Sequence, residues 1–184
     1  MRLLLHCCCA PCSAPILEWL AQNGYTPTLF FYNPNIYPFD EYETRKGELV
    51  RYAAKLGLDV IDADYNHSLW LDHVCGHEAD KERGARCSLC FDLRLTRTAQ
   101  EAAERGFDTI ATTLASSRWK DIEQINASGR RAVEQYPSVN FWDKNWRKGG
   151  LQQRRSQLLK ENGFYNQTYC GCEFSVRAEN VTGL

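Results

Sequence analysis

The sequence predicts an α/β domain: a parallel sheet flanked by helices. Two observations predict it. Short apolar runs alternate with longer amphipathic stretches along the chain, and glycines stand where the stretches end. Strands separated by helices form parallel sheets covered on both faces. A length of 184 residues suits one domain over 1–184, and 43% hydrophobic residues support a core without covalent staples.

The elements follow in order. Leu3–His6 reads as a short strand. Ser13 is placed to cap a helix with Pro15 in its first turn and Gly24 as its end. Residues 28–32 form a second strand, stopped by Asn33-Pro34. Phe39–Leu56 has helical spacing, with Leu49, Tyr52, Ala53 and Leu56 on one face and Gly57 as its stop. Residues 60–61 are a weaker strand, and the region of His67, His73 and His77 reads as an irregular lobe. A helix over 88–105 ends at Gly106, a fourth strand covers 109–114, and 121–135 and 151–162 have helical character. Ligands of such sheets sit beyond the carboxyl ends of the strands, at the point where strand order reverses. The first cysteines follow strand one, and Thr112, Thr113, Ser116 and Ser117 follow or close strand four.

Composition narrows the function classes. No apolar run approaches a membrane span, and no secretory pattern opens the chain, so a cytoplasmic, reducing location is expected. There, cysteines serve metals or redox chemistry more often than disulfides. Residues 118–160 hold ten Lys/Arg and four Asp/Glu, a balance of +6; the whole chain carries −1, which leaves −7 elsewhere. A basic third on an acidic remainder suits an anionic partner, although a solvated helix face gives the same pattern. Trp119, Trp142 and Trp146 lie among these charges; they suit either stacking on unpaired bases or the core.

Seven of the nine cysteines fall in three tight groups: Cys8, Cys9 and Cys12; Cys87 and Cys90; Cys170 and Cys172. Seven thiolates exceed the needs of one tetrahedral ion. They match a four-iron cluster with four cysteines plus a second metal with about three ligands and an open position. Structural zinc and a dithiol redox pair remain alternatives at this level. Neighbouring side chains point apart, so Cys8 and Cys9 are not expected to chelate one ion readily. Gly171 would let the backbone approach a bulky cofactor. Cys7 and Cys75 read as structural, and His6 reads more readily as a packed histidine than as a donor to thiolate.

Five strings carry a family resemblance: Leu5-His6-Cys-Cys8-Cys9-Ala-Pro-Cys12-Ser13, Glu43-Thr-Arg45-Lys46-Gly-Glu48, Cys87-Ser-Leu-Cys90-x-x-x-Arg94-Leu95, Thr112-Thr113-Leu114-x-x-Ser117 and Tyr169-Cys170-Gly171-Cys172-x-Phe174-Ser175. Together they resemble epoxyqueuosine reductases of the QueH type, from about Leu3 to Ser175. The resemblance implies a fold similar to the nucleotide α-hydrolase (PP-loop-like, Rossmann-like) class, with a cysteine-rich stretch in place of a phosphate loop. It implies a cobalamin-independent oxidoreductase that reduces epoxyqueuosine at the tRNA wobble position to queuosine. It also implies a [4Fe-4S] cluster and a mononuclear metal ion, expected to be iron.

The expected division assigns Cys87, Cys90, Cys170 and Cys172 to the cluster and Cys8, Cys9 and Cys12 to the second metal, with one of Cys8 and Cys9 able to serve the cluster instead. Tyr169 is the expected proton donor, and Cys8, Cys9 and Cys12 complete the catalytic set. Tyr32, Asn33, Arg45, Lys46, Thr112, Thr113 and Ser117 are expected at the substrate. The portion 118–177 is expected to face the tRNA anticodon stem-loop, and ferredoxin or flavodoxin to supply electrons one at a time. A zinc-containing, non-redox tRNA-modification or sulfur-transfer protein on the same fold is the competing function. A dithiol sensor is a third.

Overall fold

In the computed structural model, which describes residues 1–176, five parallel strands form one sheet in the order β3-β2-β1-β4-β5. The strands are β1 (Leu3–His6), β2 (Thr28–Phe31), β3 (Val60–Asp62), β4 (Thr109–Thr112) and β5 (Asn140–Phe141). The helices are α1 (Ala10–Gln22), α2 (Phe39–Leu56), α3 (His67–His73), α4 (Ala85–Glu104), α5 (Ile122–Glu134) and α6 (Leu151–Glu161). The α/β class expected from the alternation is the observed one. Leu3, Leu4 and Leu5 are buried on both faces of β1, as a central parallel strand requires. No helix among the described residues is long and apolar enough to cross a membrane.

Strand order reverses at β1, with β2 on one side and β4 on the other. His6 and Thr112 are register partners at the two carboxyl ends. The chain leaves β1 straight into α1, and leaves β4 through a 3-10 turn over Thr113–Ser116. The crevice between these two exits is where such sheets bind ligands.

Five elements differ from expectation. Strand four stops at Thr112, because its Oγ1 accepts the Leu114 N–H at 3.2 Å and turns the chain off the sheet. Helix α1 starts at Ala10 with Cys9 as its N-cap; Ser13 lies inside the helix and donates to the Cys9 carbonyl at 2.7 Å. Helix α4 starts at Ala85, so Cys87 and Cys90 sit on one helical face, three residues apart. Helix α3 replaces the irregular lobe; Asn66 Oδ1 caps it by accepting the Leu69 N–H at 3.0 Å, and only Trp70 within it is buried. Strand β5 has two residues, too few for a period to be read.

Two of the three tryptophans of the basic segment belong to the core. Trp142 and Trp146 meet Trp19 at centroid distances of 6.2 and 5.6 Å, and Lys144 Nζ lies 3.7 Å from the Trp19 centroid. Trp119 differs: it is 66% exposed, at the edge of the cavity described next.

Candidate metal centre

Cys8, Cys9 and Cys12 stand at the β1–α1 junction. Their sulfurs lie within 4.8 Å of one another, the only such group of three ligand atoms among the described residues. A tetrahedral ion with sulfur at about 2.3 Å spaces its ligands roughly 3.8 Å apart, so this group suits one ion with little movement. Cys8 Sγ and Cys9 Sγ are 3.9 Å apart. These neighbours therefore converge, contrary to expectation. The convergence falls where the chain passes from the extended Cys9 (φ −172°, ψ 162°) into the first turn of α1. Three protein ligands leave a fourth position open.

The trio shares one negative charge. Hydrogen bonds from Cys12 and Cys9, then Thr113 and the Arg94 charge, hold Cys8 well below the ordinary thiol range against its burial. Burial and the bonds to its neighbours push Cys9 up. The bond to Cys8 is the largest cause that raises Cys12, to about 11. Metal binding must therefore displace two protons, from Cys9 and Cys12. Below those raised values, apparent affinity should fall by about 100-fold for each unit of pH lowered. Chelator competition with zinc at two pH values one unit apart measures this, and a flat response would mean the trio is already deprotonated.

Cys87 and Cys90 on α4 meet Cys170 and Cys172, which lie beside a 3-10 turn over Glu173–Ser175. Cys90 and Cys172 pack under Trp70 and Val74. Burial raises Cys172 to about 12, helped by the charges of Cys170 and Cys90. Burial also raises Cys87, with Cys170 and Cys90 again contributing. Cys170 behaves oppositely. Burial pushes it up, but Lys120, with its Nζ 3.0 Å from the sulfur, together with Arg94 and Arg45 outweighs that and lowers it. The four sulfurs are not as tightly gathered as the trio.

A cavity of about 420 Å³ is lined by Cys8 and Cys12 of the first group and by Cys170 of the second. Arg45 and Ser117, expected at the substrate, and Tyr169, expected as the proton donor, line it. Tyr32, Asn33, Lys46, Thr112 and Thr113 do not. The ends of β1 and β4 turn their side chains inward. Thr112 donates to His6 Nδ1 at 2.8 Å, while His6 Nε2–H donates to the Tyr32 carbonyl at 3.1 Å. Burial, then Arg94, lowers His6 to about 3, so it is a neutral packed histidine that supports the strand ends. Thr113 Oγ1 accepts the Cys8 N–H at 3.2 Å and donates to Cys8 Sγ at 3.4 Å, which orients that sulfur. Asn33 bridges the Cys7 carbonyl and Arg94, Tyr32 stacks on Phe30, and Lys46 pairs with Glu43 and Asp62.

Tyr169 reaches the cavity with its ring, but its hydroxyl donates to the Tyr37 carbonyl. Burial, then Glu41, raises its pKa to about 12. Arg45 binds the segment from beneath, donating to the carbonyls of Cys170 and Tyr169 at 3.2 Å each while paired with Glu41.

Sequence reasoning missed four contributors. Lys120 appeared only within the basic segment, and Arg94 only as a letter of a motif. Gln167 donates to Cys9 Sγ at 2.8 Å, and Arg155 lines the cavity beside Cys12. The cation content tests whether a metal group fits. Arg94 is 2% exposed and its Nε has no partner; its other nitrogens meet Asn33 and, at 3.9 Å, Cys90 Sγ. No carboxylate among the described residues forms a salt bridge with it. Arg86 is also buried with an unpartnered Nε, but the Asp80 carboxylate lies close enough to offset its charge. Buried cations need compensating charge. Thiolate-bound iron and sulfide carry net negative charge, so the residues fit such a group.

Fold and site together define an α/β protein whose thiol-lined cavity can bind a metal or an iron–sulfur cluster. Comparison with known proteins specifies the family. The family described as "Epoxyqueuosine reductase QueH" matches residues 3–178. The chain is 50% identical over 179 residues to a protein of that name from Histophilus somni, covering 97% of this chain and 74% of the relative. It is 48% identical to the one from Haemophilus influenzae, covering 97% and 73%. The Thermotoga maritima protein is 38% identical, covering 94% and 89%. A solved structure described as a predicted subunit of tRNA methyltransferase from Methanocaldococcus jannaschii superposes with a TM-score of 0.55 at 15% identity, over 90% of this chain and 93% of that one; it shares the fold. The chain belongs to the epoxyqueuosine reductase QueH family.

Proposed function

We propose that this oxidoreductase removes the epoxide oxygen of epoxyqueuosine in tRNA, leaving the alkene of queuosine. One observation carries the reading beyond family membership: thiols from the start and the end of the chain, Cys8, Cys12 and Cys170, meet in one cavity. The reaction takes two electrons and two protons, and releases the oxygen as water. An external one-electron donor supplies the electrons.

Cys8, Cys9 and Cys12 would hold the mononuclear ion; Cys87, Cys90, Cys170 and Cys172 would hold the [4Fe-4S] cluster. When bound, the ion supplies Lewis acidity and the cluster supplies single electrons. The chain's own residues do the rest. Thr113 and Gln167 orient the Cys8 and Cys9 sulfurs. Ser117, Asn35 and Arg155 present polar groups to the cavity, where they can hydrogen-bond a ribose or a cyclopentene diol. Arg118 and Trp119 stand at the same wall and suit phosphate and a base face. The basic portion 118–177 is read as the tRNA-facing part; its residue 177 lies outside the described residues. Within it Arg131 and Arg154 are tied to Asp92 and Glu18, so Arg118 and Arg155 carry more of this role.

Anaerobic reconstitution, iron and sulfide analysis, and turnover of epoxyqueuosine-containing tRNA test the reading together. A brown protein that makes queuosine is expected. A colourless zinc protein unchanged by reconstitution would overturn it. Tyr169→Phe should keep turnover within about tenfold, since a general acid contributes at least about 10²-fold and this hydroxyl donates to Tyr37 instead. A loss of 10²-fold or more, measured under single-turnover conditions, would restore Tyr169 as the proton donor.

A further inference from the structure

We propose that Lys120 is a positioning residue that raises the reduction potential of the cluster held by Cys87, Cys90, Cys170 and Cys172. The inference rests on reading that thiol group as an iron–sulfur site.

Among the described residues, Lys120 Nζ makes the shortest hydrogen bond to any sulfur of the group, 3.0 Å to Cys170. The Arg83 N–H stands 3.3 Å from Cys87, and Arg94 Nη1 stands 3.9 Å from Cys90. Lys120 is held from behind as well. Its carbonyl accepts from Arg147 Nη2 at 2.6 Å, and its own N–H donates to the Ser117 carbonyl at 3.4 Å. The ammonium is thus fixed against one particular thiol rather than swept through solvent.

The choice of thiol matters. Cys170 is the member of its group that lines the cavity shared with Cys8 and Cys12. A cation and hydrogen-bond donor at that sulfur favours the more negative, reduced state of a bound cluster, on the side that faces substrate. Arg94 and Arg86 add diffuse charge, but neither donates a close bond to a sulfur of the group. Lys120 therefore has the largest single leverage on the potential.

The test uses the full chain, reconstituted anaerobically, as wild type and as Lys120→Met, Lys120→Gln and Lys120→Arg. Iron and sulfide content report loading. A dithionite titration followed by electron paramagnetic resonance reports the midpoint potential. Lys120→Met should load its cluster and fall in potential by at least a tenfold change in the one-electron equilibrium, about 59 mV. Lys120→Arg, which keeps charge and donor, should stay near wild type, with Lys120→Gln between the two. A loaded Met variant at the wild-type potential overturns the proposal. If Met alone fails to load, Gln below Arg supports it and Gln equal to Arg overturns it. Failure of all three to load makes Lys120 an assembly requirement and also overturns it. A wild-type chain that binds zinc and no sulfide is a different failure, that of the iron–sulfur reading itself.

Discussion

Replacing Cys8 by alanine should abolish turnover while leaving most of the iron in place. Cys8 carries the charge of the trio and receives hydrogen bonds from Cys9, Cys12 and Thr113. Removing it leaves two thiols, too few to hold a mononuclear ion in a thiol site with one open position. The loss should exceed the roughly 10–100-fold that follows removal of an outer partner of a metal ligand. Sulfide should stay at the wild-type level, because the group of Cys87, Cys90, Cys170 and Cys172 is untouched. Cys172→Ala makes the contrast, since it should lose sulfide and most iron together. Iron-to-sulfide ratios of the two variants read the division directly. Equal loss of iron and sulfide from both would mean that the trio and the foursome are not separate sites.

Gly171→Ala should damage stability and cluster loading together. Gly171 has φ +117°, a conformation that strains any L side chain by about 1–3 kcal/mol. A Cβ there would also come within 3.0 Å of Ile36 and 3.1 Å of Arg45 Nη1. Neither neighbour yields freely. Ile36 is 1% exposed, and Arg45 is anchored by Glu41 and by the carbonyls of Tyr169 and Cys170. The strand-exit loop is tied on as well, through the Tyr37 N–H to the Gly171 carbonyl at 2.9 Å. The glycine thus permits close approach of protein, and it lies between two cysteines of the site. Chemical denaturation of the metal-free chain should show a loss of the strain magnitude or more, about 1–3 kcal/mol. Reconstituted Gly171→Ala should hold less sulfide than wild type. Wild-type stability and loading would mean that the loop relaxes without moving Cys170 and Cys172.

Much of the scaffold is legible in the residues. Leu3, Leu4 and Leu5 form an apolar run too short for a helix and unbroken enough for a central strand, and β1 is that strand. The span Phe39–Leu56 matches α2 at both ends, because Gly57 can take the left-handed conformation that closes a helix. Short elements were illegible for the opposite reason. The two residues of β5 hold no period, and the seven of α3 derive their place from Trp70 packing against Cys90 and Cys172. The site divides in the same way. Cysteine spacing identified the thiols. The polar residues near them were harder, since a threonine at a strand end can face the cavity or the interior with the same neighbours in sequence. Thr112 faces His6 because the two are register partners across parallel strands.

By itself the amino-acid order determined an alternating α/β chain, three groups of soft ligands and the family to which they belong, since each is written in local spacing. Tertiary structure alone decided that Cys8 and Cys9 converge, that Cys170 shares one cavity with Cys8 and Cys12, and that Arg94 and Lys120 supply positive charge there. The physical reason is separation. Lys120 lies 50 residues from Cys170, and no local periodicity encodes a contact made only when the loop after β4 folds back over the end of the sheet.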